Sequence, residues 1–384
     1  MRHHRLFSWL AALGMGLAPA LALGADALPE PYEVARSLRA LQDRIAAGDA
    51  ASYRGYRAAL AEDAVLLSRA ADDAWKEPRN VRAAVAFVLS GGEPVILKKL
   101  AELSSGQEQT LVRAALAYGE NRNAAAAELL ADLEPRKLDA SIAGHVALVR
   151  SELLAKKDPD KALELLAEAR LLAPGTMIEE AALRREAGLA ADKGDADRFG
   201  SAAALYFRRF ANSVHMGNFR RQFAANVVAH SVADDGPRRS SMEAALASLP
   251  NDSQQELYLM VAWEGVRAGK MELVRWAAGK AAAMAPDGSL EQVRAKLYEA
   301  AALVTTEELE KAMTTLEGIS ADKLDTEEEE LLAAALHIGK EIRRGVEAPG
   351  DGDKPPAGVG VSAVAATARK AIARVDALLS GERR

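Results

Sequence analysis

DPDKALELLAEARLLAP, residues 158–174, reads as one helix with both of its ends marked. Asp158 stands where an N-cap side chain accepts from the free N–H groups of a first turn, Pro159 suits the first helical position, and Pro174 forbids continuation. Between them Ala162, Leu165, Leu166, Ala169 and Ala173 recur at intervals of three and four, which places them on one buried face. Ala162, Leu166, Ala169 and Pro174 also occupy the spacing of the second helix of a tetratricopeptide repeat. There small side chains let paired helices approach, and a proline stops the second one.

The same grammar extends in both directions. Val34, Leu38, Leu41 and Ile45 form a stripe on a helix that begins near Pro31 and is closed by Gly48, and Ala126, Leu129, Leu130 and Leu133 form another. Thr305-x-x-Glu308 and Thr326-x-x-Glu329 read as capping boxes. Pro94, Pro135, Pro174, Pro250 and Pro286 are separated by 41, 39, 76 and 36 residues, so a repeat of about 38 with one terminator missing near Ala211-Asn212 is implied. The unit from Tyr258 to Pro286 keeps Gly269, Ala281 and Pro286 at the matching places. Hydrophobic residues make up 49% of the chain but aromatics only 5%, an Ala- and Leu-rich composition that packs helices closely and fills sheets poorly. The expected fold is all-α, with tetratricopeptide-like helical hairpins stacked as an α-solenoid over residues 80–344 and preceded by a helical segment over 26–79. An irregular bundle of helical hairpins is the alternative.

The two ends differ from this body. Met1-Arg-His-His-Arg5, the apolar run Leu6 to Leu23 and the small residues before Asp26 form a secretory signal peptide over residues 1–25. An uncleaved anchor is the alternative, since about 18 apolar residues is the lower edge of a membrane span. The expected location is the periplasm. With no cysteine in the chain, neither a lipid anchor nor a disulfide is possible. Removing Arg2 and Arg5 takes the net charge from -6 to about -8. Residues 345–361 (GVEAPGDGDKPPAGVGV) read as a flexible linker. Residues 362–384 then read as an amphipathic helix with Val364, Ala368, Ile372, Val375 and Leu379 on one face, which docks on the array, binds a partner or lies on a membrane.

Little in the chain suggests chemistry. His145, His215, His230 and His337 have no partner at helical spacing, and without cysteine no zinc pattern exists, so no metal and no cofactor are expected. Gly265-x-x-x-Gly269-Lys270-Met271 resembles a phosphate loop but is one residue short and has Met where Ser or Thr holds magnesium. No nucleophile elbow occurs, and no catalytic residue is assigned, so the chain is read as a non-enzyme. One stretch departs from the acidic background: no Asp or Glu occurs between Asp197 and Asp234, where Arg198, Arg208, Arg209, Arg220 and Arg221 accompany Phe199, Tyr206, Phe207, Phe210, Phe219 and Phe223. A basic, aromatic-rimmed binding surface is expected there, with Arg208, Arg209, Phe210, Phe219, Arg220 and Arg221 as the partner-binding residues. The alternative is a packed core with solvated arginines. Nucleic acid is not an expected partner of an exported acidic protein.

Four segments resemble the MotC family of alphaproteobacterial flagellar systems: PYEVARSLRALQDRIAAGDAA from Pro31, EPRNVRAAVAFVLSGGEP from Glu77, YFRRFANSVHMGNFRRQFAANV from Tyr206, and ELYLMVAWEGVRAGKMELVRWAAGKA from Glu256. The first two are the more specific, because Arg36-Ser-Leu-x-x-Leu-Gln42-Asp43, Pro78-Arg-Asn80 and Ser90-Gly-Gly92 are not what a generic helical repeat requires. The resemblance implies a non-enzymatic periplasmic role in flagellar rotation, exercised by binding the periplasmic part of the stator protein MotB. It supplies no site residues. A scaffold for another envelope complex stays open beside it, as does an enzyme acting on the cell wall, although the array leaves no room for a catalytic domain.

Overall fold

The computed structural model describes residues 28–230, 235–247 and 249–346. The expected signal segment, the C-terminal helix and all but the first two residues of the expected linker lie outside the described residues. Within them the chain is helical and carries no strand. It divides into two compact units, one ending at Phe223 and the other beginning at Ala224. The first unit holds α1 (Pro31–Ala46), α2 (Ala50–Arg69), α3 (Pro78–Leu89), α4 (Val95–Leu103), α5 (Gly106–Gly119), α6 (Asn123–Leu130), α7 (Ala140–Leu154), α8 (Pro159–Leu172), α9 (Met177–Asp192) and α10 (Ala196–Arg209). The division falls within α11 (Met216–Ala229). The second unit continues with α12 (Gly236–Leu246), α13 (Asn251–Arg267), α14 (Met271–Met284), α15 (Leu290–Leu303), α16 (Leu309–Glu317) and α17 (Thr326–Val346).

The segment 158–174 folds as its sequence demands. Asp158 accepts from the Lys161 N–H at 3.0 Å, Pro159 opens α8, and Ala162, Leu165, Leu166 and Ala169 are buried. A Cβ on Gly144 of α7 would stand 2.8 Å from that of Ala173, so the absent side chain lets this helix pair approach closely. α7, α8, α9 and α10 pack each on the next, and α7 also touches α9. In the second unit α13 through α16 do the same, with α13 also on α15 and α15 on α17. First helices thus stack on first helices while each hairpin closes on itself, which is tetratricopeptide-like stacking within each unit.

Some local expectations shift register. The prolines sit at junctions rather than only at helix ends: Pro94 and Pro250 precede α4 and α13, and Pro135 opens the 3-10 turn Pro135–Lys137. The missing terminator is a proline-free turn after Arg209, where the Ser213 hydroxyl accepts from the His215 N–H at 3.0 Å. The capping box expected at Thr326 and Glu329 is formed one residue earlier. The Glu328 N–H donates to Asp325 at 3.0 Å and the Asp325 N–H donates back to Glu328 at 3.2 Å, because an aspartate carboxylate outcompetes the neighbouring hydroxyl. Likewise Thr306, not Thr305, accepts from the Glu308 N–H, and α16 begins only at Leu309.

The N-terminal segment is not a separate body. α1 buries Val34, Leu38 and Ile45 as its stripe predicts, and it packs on α2, α3 and α9. It therefore lies along the face made by first helices of the array. Gly48 has φ +101°, and a Cβ there would meet the Asn212 carbonyl, so the turn after α1 is pressed against the turn after α10.

Candidate functional site

Where α1 crosses α3 and α7, a groove of about 290 Å³ opens, lined by residues of all three helices. Its floor is apolar: Leu38 and Phe87 are buried, and Ala83 and Ala86 fill between them. Phe87 is held there by glycine. Gly91 has φ +99°, and a Cβ on Gly92 would stand 2.3 Å from the Phe87 ring, so the Ser90-Gly-Gly92 turn folds back over that ring as no other residue pair would allow.

Polar side chains fix the three helices around this floor. Asn80, fully buried, accepts from the Tyr32 N–H at 3.1 Å and donates to Glu30 and to the Ala74 carbonyl, both at 2.8 Å, which pins the start of α1 to the start of α3. Gln42 donates to the Tyr56 hydroxyl at 2.8 Å, and that hydroxyl donates to the Ser90 carbonyl at 2.9 Å. The Ser90 hydroxyl lies 3.2 Å from His145 Nε2 on α7. Burial, and then the positive charge of Arg39, push the His145 pKa down to about 4, so the imidazole is neutral at pH 7.

The rim is cationic. Arg36, Arg39, Arg79 and Arg82 all line the groove. Arg82 bonds Glu108 at 3.1 Å and Asp139 at 3.3 Å. Asp139 also caps α7 by accepting from the Ser141 N–H and hydroxyl, and these bonds with the Arg82 charge hold its carboxyl below the usual range. The Arg79 guanidinium stacks 4.1 Å from the Tyr32 ring centroid. Arg36, Arg39 and Arg79 are all exposed. The three make neither a hydrogen bond nor an ion pair among the described residues.

Of the six residues expected to bind a partner, the two aromatics are placed differently from expectation. Phe210 and Phe219 do not rim a surface. Both are buried, and with Tyr206, Phe207, Phe199 and Phe223 they form one aromatic cluster in which the Tyr206 and Phe219 centroids are 4.0 Å apart. Arg209 bonds Glu179 of α9 at 2.8 Å, while Arg198 bonds Glu186 at 2.9 Å. Glu180 is buried beside them and accepts from the Tyr206 hydroxyl at 3.0 Å and from Ser213. Arg220 is partly buried and has a partner, and Arg208 and Arg221 are the exposed remainder. The acid-free window hides acids brought in from α9, so Arg198 and Arg209 of the basic patch neutralise buried carboxylates. Sequence reasoning missed the groove as a site, although the signal was present: Arg36, Gln42, Arg79, Asn80, Ser90 and Gly92 are the residues that set the first two family-like segments apart.

No group of three His, Asp or Glu among the described residues is placed to hold a metal ion, and no described helix is long and apolar enough to cross a membrane. The family model for chemotaxis protein MotC matches residues 1–383. The chain belongs to the MotC family. A curated relative, chemotaxis protein MotC of Rhizobium meliloti (strain 1021), is 33% identical over 349 residues, covering 88% of this chain and 79% of the relative. Among solved structures, the TPR domain of P58(IPK) aligns over 83% of this chain and 89% of its own, at 15% identity and a TM-score of 0.26. The α1 and α3 side of the groove, with Arg36, Gln42, Arg79 and Ser90, lies in the first two of the family-like segments, and α7 supplies the rest of its lining.

Proposed function

We propose that this MotC-family motility protein works outside the inner membrane, without catalysis, by binding the periplasmic part of the stator protein MotB and favouring its working state. Family membership over almost the whole chain carries this reading. The site's chemistry agrees with it. The groove offers fixed cations, a neutral histidine and an apolar floor, which suit recognition. The Ser90 hydroxyl does face His145, but burial and Arg39 push that imidazole's pKa down to about 4, which makes it a weak base for activating a serine, and the group that orients its ring is the Ser141 backbone. A soluble partner changes a stator's equilibrium only by the difference in its affinity for two stator conformations. The mature protein, freed of residues 1–25, acts from the periplasm. Deletion of the gene tests this: cells that build filaments but do not swim support it, and normal swimming overturns it.

A further inference from the structure

We propose that the groove between α1, α3 and α7 is the docking site for an acidic, extended segment of a protein partner, whose carboxylates are held by Arg36, Arg39 and Arg79. The choice of a protein as ligand rests on the partner-binding function proposed above, whereas the charge argument rests on the groove itself.

Three guanidiniums from two helices face one concavity, and none of them can shed its charge by losing a proton. The single carboxylate that lines the groove, Asp139, is already committed to Arg82 and to the first turn of α7. The site thus holds surplus positive charge on a chain whose net charge is -6. Elsewhere in the same unit, arginines that face buried acids are paired, as Arg209 is with Glu179 and Arg198 with Glu186. Arginine's planar fork matches carboxylates in pairs, which favours Asp or Glu side chains as the ligand groups. A volume of about 290 Å³ is at the small end of binding sites, room for a few extended residues and not for a folded surface. The Phe87 and Leu38 floor would cover the methylene stems of such side chains.

The rigidity of the rim supports the same use. Asn80 fixes α1 against α3, the Gly92 turn locks Phe87, and the Arg79 guanidinium is stacked on Tyr32. A frame and floor fixed in advance lower the ordering cost of binding, which then falls mainly on the Arg36 and Arg39 side chains.

The test is fluorescence anisotropy on the full chain at low salt with a short fluorescein-labelled peptide of alternating Glu and Ala, against its Lys-Ala counterpart. Wild type should bind only the acidic peptide. R36Q/R39Q/R79Q should weaken it by on the order of 10- to 100-fold, since each exposed pair is worth up to about a factor of five. R36Q/R39Q, which leaves the Arg79–Tyr32 stack intact, should lose on the order of 10-fold, and R208Q/R221Q should stay within about 2-fold. Equal binding by the triple variant with unchanged circular dichroism overturns the proposal. So does a wild-type protein that ignores the acidic peptide, or one that takes a soluble anionic glycan fragment in its place. If the triple variant still binds the MotB periplasmic part as wild type does, the groove assignment fails while the MotB reading stands. If wild type binds the peptide through the groove but not MotB, the MotB reading fails and the groove stands.

Discussion

Replacing Asn80 by alanine should loosen the joint on which the groove depends. Asn80 is fully buried and makes three hydrogen bonds, to the Tyr32 N–H, the Ala74 carbonyl and Glu30. In N80A the exposed Glu30 recovers its bond from water and the Ala74 carbonyl keeps the Glu77 N–H at 3.3 Å, but the Tyr32 N–H loses its partner in a partly buried position. At about 1–2 kcal/mol for the stranded N–H and about 1 kcal/mol for the hydrogen bond lost at the carbonyl, the loss is about 2–3 kcal/mol. N80D should be worse by about 1 kcal/mol or more, because its second oxygen would face the Ala74 carbonyl and the Glu30 carboxylate in place of a donor. Trp75 lies beside Ala74, is buried, and is the only tryptophan among the described residues of the first unit. In a W9F/W263F/W276F background its fluorescence reports that unit alone. Urea unfolding should show the midpoint falling by about 1 M or more at unchanged slope. A shift below about 0.5 kcal/mol, or N80D more stable than N80A, would refute the reasoning.

Three further outcomes follow from the same geometry. G92A drives a methyl into the Phe87 ring and should cost about 1–3 kcal/mol by the same Trp75 assay, with G91A strained by its left-handed backbone. The His145 pKa, lowered by burial and then by Arg39, means that the unfolded chain takes up a proton below about 6.5 and the folded one only near 4. Wild type should therefore lose up to about 3 kcal/mol relative to H145N as pH falls through that window, and a flat difference between the two contradicts it. Asp63, raised to about 6 mainly by burial, acts in the opposite sense in both proteins and cancels from the comparison. R209E sets a new carboxylate against the buried Glu179 and should cost about 2–3 kcal/mol, while R208E should change stability by less than about 0.5 kcal/mol, as thermal melts of the pair would show.

The helical architecture was legible because it is written in local terms. The 158–174 helix carries its own caps and stripe, and the Val34, Leu38, Ile45 face needed only a three-and-four spacing to be recognised. Caps shifted by one residue where two polar side chains compete for the same N–H groups, as at Asp325 and Thr326. What no local pattern reveals is which distant residues meet. The stretch holding Arg208, Arg209, Phe210, Phe219, Arg220 and Arg221 looked like a surface because the acids that meet it, Glu179 with Arg209, Glu186 with Arg198 and Glu180 with Tyr206 and Ser213, lie on another helix. The aromatic rings turned inward for the same reason, since burying a ring beside five others outweighs displaying it. The groove was hidden by the opposite effect: its arginines are scattered over α1 and α3, and only the return of α1 across the array brings them together.

The most direct measurement is calorimetric titration of the purified chain lacking residues 1–25 with the purified periplasmic part of MotB. Saturable binding at a fixed stoichiometry, weakened by R36Q/R39Q/R79Q, is the predicted result. No binding heat or shift at any accessible concentration, from a protein that melts cooperatively, would contradict the account.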